Sequence, residues 1–334
     1  MLDMLVIGAG PAGLYAAYYA GFRRLSVGVM DSLPEVGGQV SALYPEKPIF
    51  DVAGFPAVKG QDLVDALAEQ AATASPTYFL GERAEQLEVT QDAVTVTTDQ
   101  GRAVHARTVL ITGGIGTFSP KPLPAAREYD GEGLMYFVPR LDDLAGRDVL
   151  VVGGGDSAFD WALSLEPLCR SVTLAHRRTT FRAHERTVER VLDSSVRVLT
   201  PFEVERLHGD DAVHGVDLVS AVDGQRERVD VQTVVAALGF TADLGPFTRW
   251  GLELRKRRIL VDSRMRTNLP RVFGAGDVAE YDGKVRLISV GFGEAATAVN
   301  NAAAVVDPTA RVAPGHSSDA GLAGSPRTPA AVDD

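Results

Sequence analysis

Residues 3 to 8 form a short apolar run, DMLVIG, that leads into the turn Gly8-Ala9-Gly10-Pro11-Ala12-Gly13 and then into a helix-like stretch from Leu14 to Gly21. The pattern predicts strand, tight turn, helix. Residues 148 to 153, DVLVVG, repeat it, followed by Gly153-Gly154-Gly155-Asp156-Ser157-Ala158 and a second helical stretch to about Glu166. Downstream of each unit lies an alternating, hairpin-like region, 86 to 111 after the first and 203 to 236 after the second. Each region closes on an apolar strand and a glycine turn: Val109-Leu110-Ile111-Thr112-Gly113-Gly114, then Val234-Val235-Ala236-Ala237-Leu238-Gly239. Two units of one design point to an α/β chain built as two Rossmann-like, three-layer dinucleotide-binding domains.

The segment after residue 240 has no glycine fingerprint of its own, so the second unit is read as inserted into the first. Residues 116 to 124 (GTFSPKPLP) and 241 to 250 (TADLGPFTRW) carry the proline and glycine expected of interdomain crossings. The expected domains are therefore 1–117 with 246–318, and 118–245. Beyond His316 the composition collapses to Ala, Gly, Pro, Ser and Asp, which predicts a disordered tail over 319–334.

The first fingerprint sits between strand and helix, and Asp31 closes the next apolar strand about 20 residues on, where an acid can accept hydrogen bonds from a ribose diol. The first glycine permits the turn, the second lets a pyrophosphate approach the backbone, and the third brings helix and strand together; the helix N-terminus adds unpaired N–H groups. FAD and NAD both satisfy that pattern. The second fingerprint carries Ala158 in its third position, and its next strand ends on His176, followed by Arg177, Arg178 and, one turn on, Arg182. A carboxylate there would repel a 2′-phosphate, whereas guanidinium groups hold one, so NADPH is expected over NADH.

Composition narrows the classes. A length of 334 residues fits two domains, and 45% apolar with 23% charged residues is ordinary for a globular enzyme. The 33 basic and 44 acidic side chains give −11, which argues against general nucleic-acid or anionic-membrane binding. The single cysteine, Cys169, forms no internal disulfide, and no apolar run approaches the roughly 18 residues of a membrane span. A soluble, cytoplasmic protein without a metal site is expected.

Residues 35 to 56 (EVGGQVSALYPEKPIFDVAGFP), 153 to 162 (GGGDSAFDWA), 176 to 185 (HRRTTFRAHE) and 291 to 301 (GFGEAATAVNN) resemble a family: the thioredoxin-reductase-like ferredoxin/flavodoxin NADP reductases of the pyridine nucleotide disulfide oxidoreductase superfamily. The resemblance implies FAD in the first domain. Gly8, Gly10, Pro11, Ala12 and Gly13 would hold its pyrophosphate, Asp31 its adenosine ribose, and the backbone near Ala84 its adenine. Gly38, Gln39 and Tyr44 would approach the isoalloxazine, with Tyr44 stacking on it and Phe118 lining the linker nearby. Asp277 would accept from the ribityl chain, and Gly291-Phe292-Gly293-Glu294 would open a helix whose dipole favours negative charge on the reduced flavin. In the second domain Gly153, Gly155, Asp156, Ser157, His176, Arg177, Arg178 and Arg182 would hold NADPH. His316-Ser317-Ser318 matches a C-terminal signature in which the histidine stacks on the flavin and Ser318 contacts it from the partner subunit of a homodimer. The Pro/Ala/Gly extension after these serines departs from that pattern.

Thioredoxin reductases of this architecture carry a CxxC pair in the NADPH domain, where this chain reads Gly155-Asp156-Ser157-Ala158-Phe159-Asp160. Without a thiol relay, electrons must leave the flavin directly, which suits ferredoxin or flavodoxin as partner. Another acceptor, such as a small disulfide or a quinone, and a flavin redox sensor without turnover are the alternatives. Arg255-Lys256-Arg257-Arg258 and Arg23-Arg24 are either docking cations for an acidic carrier or solvated runs.

Overall fold

The computed structural model describes residues 1–124 and 129–313. Its first sheet has a parallel core in the order Thr77–Leu80, Val27–Asp31, Leu2–Ile7, Ala103–Ile111, with Val272–Gly274 on the far side of the last strand. Val272–Gly274 follows the second glycine unit in sequence yet pairs with Val109 to Ile111, so the chain returns to its first sheet.

The strand Ala103–Ile111 shows how pattern becomes position. Its first half alternates exposed and buried where it pairs antiparallel with Val94–Thr98, and its second half is buried throughout, between two parallel neighbours. An antiparallel ribbon can wet one face, whereas a parallel core has both faces covered. Helix α1 (Pro11–Phe22) is correspondingly apolar all round; it packs against two other helices of this lobe, α3 (Gly60–Ala72) and α6 (Ile288–Val306). The short helix α2 (Gln39–Leu43) follows the Gly37-Gly38 turn.

The second sheet is parallel in the order Leu134–Met135, Thr233–Ala236, Asp148–Val152, Ser171–Ala175, Arg197–Leu199. Helix α4 (Asp156–Leu165) covers it with Ala158, Phe159, Trp161, Ala162 and Leu165, and α5 (Glu185–Leu192) lies against α4. An antiparallel meander, Phe202–Gly209, Val213–Ser220 and Arg226–Val229, completes this lobe. The two crossings pair with each other as an antiparallel ribbon, Thr117–Pro120 with Phe240–Asp243. Each lobe has its own core, and Tyr44 packs against both the first-lobe cluster and the α4 cluster.

One boundary moves. The sequence predicts that the last helix opens at Gly291, but α6 begins at Ile288 on Leu287, without a side-chain cap. Gly291 is therefore its fourth residue, its N–H donating to the Leu287 carbonyl at 3.1 Å.

Candidate dinucleotide sites

The first fingerprint is built by mutual bracing. The Gly8 N–H donates to the Met30 carbonyl, the Gly37 N–H to the Ala9 carbonyl, and the Thr112 hydroxyl to the Gly8 carbonyl, all at 2.8 Å. Asp31 Oδ2 accepts the Ala9 N–H at 2.6 Å and Oδ1 the Leu33 N–H at 2.9 Å. Burial pushes its carboxyl above the ordinary range, and these backbone hydrogen bonds offset part of the rise. Helix α1 starts at Pro11 with Gly10 as its cap and no capping side chain, so its first N–H groups remain available to an anion.

The three glycines differ in what surrounds them. A Cβ on Gly8 would lie 2.6 Å from the Thr112 carbonyl oxygen, and one on Gly13 only 1.8 Å from the Gly8 carbonyl oxygen. A Cβ on Gly10 meets nothing nearer than the Gly37 carbonyl oxygen at 3.9 Å. Two positions are thus closed by packing, and the middle one opens on a cavity of about 1230 Å³. That open ground lies beside a helix start that no side chain caps.

The cavity is lined by Gly8, Gly10, Pro11, Ala12, Asp31, Gly38, Gln39, Tyr44, Ala84 and Asp277 of the sequence-predicted flavin residues. Gly13 is spent on helix packing instead. Phe118 stands in the interlobe ribbon opposite Ala242. His316 and Ser318 lie outside the described residues. Burial, then the carboxylates of Asp277 and Asp51, push the Tyr44 hydroxyl up to about 12, so Tyr44 is a neutral phenol at physiological pH. Sequence reasoning passed over Thr112, Lys47, Asp51, Phe247 and Arg286 on the same walls. Thr112 sits in a glycine turn that the sequence shows but to which it gives no role.

The cavity continues to α4 and reaches Asp156, Asp160, His184 and Arg190 of the second lobe. Lys47 Nζ bridges the lobes to the Asp160 carboxylate at 2.5 Å. Of the sequence-predicted NADPH residues only Asp156 lines this cavity; Gly153, Gly155, Ser157, His176, Arg177, Arg178 and Arg182 do not. They gather nearby around the second fingerprint. The Arg182 N–H donates to the Gly154 carbonyl at 2.7 Å, and the His184 N–H to Asp156 Oδ1 at 2.8 Å, which staples the arginine loop to the glycine turn. The His176 ring covers Gly154, where a Cβ would lie 2.3 Å from a ring atom. Arg177, Arg178 and Arg182 are exposed, and no carboxylate pairs with them among the described residues. Cations left unpaired in a chain of net charge −11 are free for an anion from solution.

Burial holds His176 below its ordinary pKa, and the charges of Arg177, Arg178 and Arg182 act in the same sense, against a backbone hydrogen bond at Thr180. A base depressed in the folded state binds fewer protons there than in the unfolded chain, so its cost appears as pH falls through the unfolded value near 6.5. Thermal unfolding between pH 7.5 and 5.5 is expected to show this lobe losing stability, with a shallower slope in His176→Asn. An equal slope in that variant removes His176 as the source.

Of the basic residues in the two candidate docking runs, Arg23, Arg255 and Arg258 have partners within the chain. Arg23 Nη2 donates to the Arg311 carbonyl at 2.8 Å and its Nη1 to the Val312 carbonyl at 3.2 Å. Arg255 pairs with Asp282 at 2.8 Å, and Arg258 Nε donates to the Asp277 carbonyl at 2.8 Å. Lys256 and Arg257, both at positive φ, form the two-residue turn of a hairpin in which Arg255 faces Arg258. Cys169 is half-buried with Sγ 3.3 Å from the Leu144 carbonyl oxygen, and burial and then Asp148 push its thiol up, away from the thiolate a redox centre needs.

Comparison with known proteins places this geometry in a family. Residues 2–302 match the model of the pyridine nucleotide-disulphide oxidoreductases. The ferredoxin–NADP reductase of Frankia alni is 64% identical over 315 residues, covering 94% of this chain and 98% of that protein. The ferredoxin–NADP reductase of a Nocardioides species is 61% identical over 322 residues, 95% and 97% of the two chains. Among solved structures, thioredoxin reductase from T. acidophilum superposes with a TM-score of 0.77 at 27% identity, over 91% of this chain and 98% of that one. Thioredoxin reductase from Lactococcus lactis in its FR conformation shares the fold with the same TM-score at 24% identity, over 92% and 99%. Twin glycine turns in two linked parallel sheets, a cationic loop on the second, and these matches along nearly the whole chain lead to one conclusion: the chain belongs to the pyridine nucleotide-disulphide oxidoreductase family, with the two-lobed thioredoxin-reductase-like fold.

Proposed function

We propose that this chain is an NADPH-dependent FAD flavoprotein that passes electrons singly to ferredoxin or flavodoxin, a ferredoxin–NADP reductase working as a cytoplasmic homodimer. Residues 1–117 with 246–318 form its flavin domain and 118–245 its NADPH domain. The observation that carries the reading is the cavity running from the Gly8–Ala12 turn past Tyr44 to the start of α4, with no cysteine on its walls. The named activity of the relatives supports the same conclusion.

The bound flavin and nicotinamide supply hydride transfer and the change from two-electron to one-electron chemistry. The chain supplies position and charge. The first turn of α1 holds a pyrophosphate on N–H groups, and Asp31, already fixed by the Ala9 N–H, is placed to accept from a ribose. Tyr44, neutral and half-buried, offers its ring to the isoalloxazine and cannot exchange a proton near pH 7. Ile288 and Gly291, in the first turn of α6, line the cavity, where the helix dipole favours negative charge. Arg177, Arg178 and Arg182 take the 2′-phosphate. Lys47 and Asp160 join the lobes at the wall of the cavity.

Mixing the NADPH-reduced protein with ferredoxin, flavodoxin and thioredoxin tests the reading. Fast reoxidation by either of the first two and none by thioredoxin is expected, with Cys169→Ser indistinguishable from wild type. Thioredoxin turnover that needs Cys169, or reduction by NADPH with no protein acceptor oxidising the product, overturns it.

A further inference from the structure

We propose that Glu294 is a positioning residue for the flavin dinucleotide: its buried carboxylate fixes the turn that carries Asp277. This rests on the flavin reading above and goes one layer behind the cavity wall. Gly276 and Val278 are buried while Asp277 between them is exposed to the cavity. The Gly276 N–H donates to Glu294 Oε2 at 2.8 Å. Oε1 of the same carboxylate accepts the Tyr281 hydroxyl at 2.6 Å and pairs with Lys284 Nζ.

The Lys284 and Glu294 side chains are only 1% and 4% exposed, so neither charge serves solubility. A buried ion pair is costly to desolvate, and apolar side chains of similar volume often replace one without loss of stability. What an apolar side chain cannot do is accept the Gly276 N–H. Gly276 sits at φ +77, and a Cβ there would lie 3.2 Å from Ala12 Cβ in the first turn of α1; one on Gly291 would lie 3.4 Å from Gly276 Cα. The turn is thus wedged between the starts of α1 and α6, with Arg258 holding the Asp277 carbonyl from the other side. Glu294 sets its remaining freedom. Because Lys284 cancels the charge, the unit offers an acceptor without adding negative potential beside a group that becomes more negative on reduction.

FAD titration of the apoprotein, followed by quenching of flavin fluorescence, tests the assignment in a cycle with Asp277. E294Q/K284M keeps an acceptor oxygen for Gly276 and should bind FAD within about threefold of wild type, whereas E294L/K284M orphans that N–H and should bind about tenfold more weakly or worse. In the Asp277→Ala background the leucine pair should add less than about twofold, because the side chain being positioned is gone. Binding of 2′,5′-ADP to the other lobe should stay unchanged throughout. Should E294L/K284M not fold, E294M/K284M fills the same volume and is read the same way. Equal affinity for the glutamine and leucine pairs, or an undiminished loss in the Asp277→Ala background, overturns the positioning role alone. A wild-type apoprotein that takes up no FAD overturns the flavin reading beneath it.

Discussion

Replacing Arg177 and Arg178 together with alanine is expected to cut kcat/KM for NADPH by about a hundredfold or more while leaving NADH within about threefold. Each charge-assisted guanidinium–phosphate contact is worth about tenfold to a hundredfold, and two are removed. Both arginines are solvent-exposed, which places the effect toward the lower end and makes it fall with ionic strength, since the Debye length is about 8 Å at physiological salt. The lysine pair should recover only part of the preference, because an ammonium offers a point charge where guanidinium offers a fork. Steady-state kinetics with both nucleotides at two salt concentrations decide it. Equal losses for NADPH and NADH would remove the phosphate role and leave these residues as a solvated face.

That the arginine loop lies beside the second glycine turn could be read from sequence because the determinants of both are local. A strand, a glycine turn and the residue that ends the next strand lie within a few dozen positions, and the 176–184 loop returns to its turn through the Arg182 N–H on the Gly154 carbonyl and the His184 N–H on the Asp156 carboxylate. The same holds for Gly8, Gly10, Gly13 and Asp31. Where the determinant is distant, the sequence is silent. Lys47 and Asp160 come from different lobes, and nothing in either neighbourhood marks the pair. The start of α6 is hidden for another reason: Leu287 caps it without a polar side chain, so the signal that marks a helix N-terminus is missing, and the conspicuous Gly291 draws the boundary inward. The shape of the basic run 255–258 is hidden because composition does not reveal a two-residue hairpin, in which the outer arginines turn back onto Asp282 and the Asp277 carbonyl. The change of pattern within Ala103–Ile111 is visible in the sequence, but its cause, a neighbour arriving from residues 272–274, is not.

Gly10→Val and Gly13→Ala are expected to fail in opposite ways, and the difference tests whether the first fingerprint is a binding site or only a tight turn. At Gly10 the backbone is extended, with φ −73 and ψ −177, which valine tolerates, and the nearest atom to a new Cβ is 3.9 Å away. The variant should fold and melt near the wild-type apoprotein, yet purify colourless and refuse reconstitution, because the added methyl groups occupy the ground in front of the α1 N–H groups that a pyrophosphate needs. At Gly13 a Cβ overlaps the Gly8 carbonyl oxygen at 1.8 Å and crowds the Thr112 hydroxyl at 2.8 Å, and both of these are anchored to the first sheet. Helix α1 must then lift off the strand Leu2–Ile7, at a cost of about 1–3 kcal/mol or more for overpacking, with the loss visible in the apoprotein before any flavin is added. Melting curves of both variants with and without FAD separate the cases. A yellow, normally reconstituting Gly10→Val protein would mean that the turn faces no dinucleotide, and a Gly10→Val apoprotein as unstable as Gly13→Ala would mean that the open ground seen in front of Gly10 is closed by the fold itself.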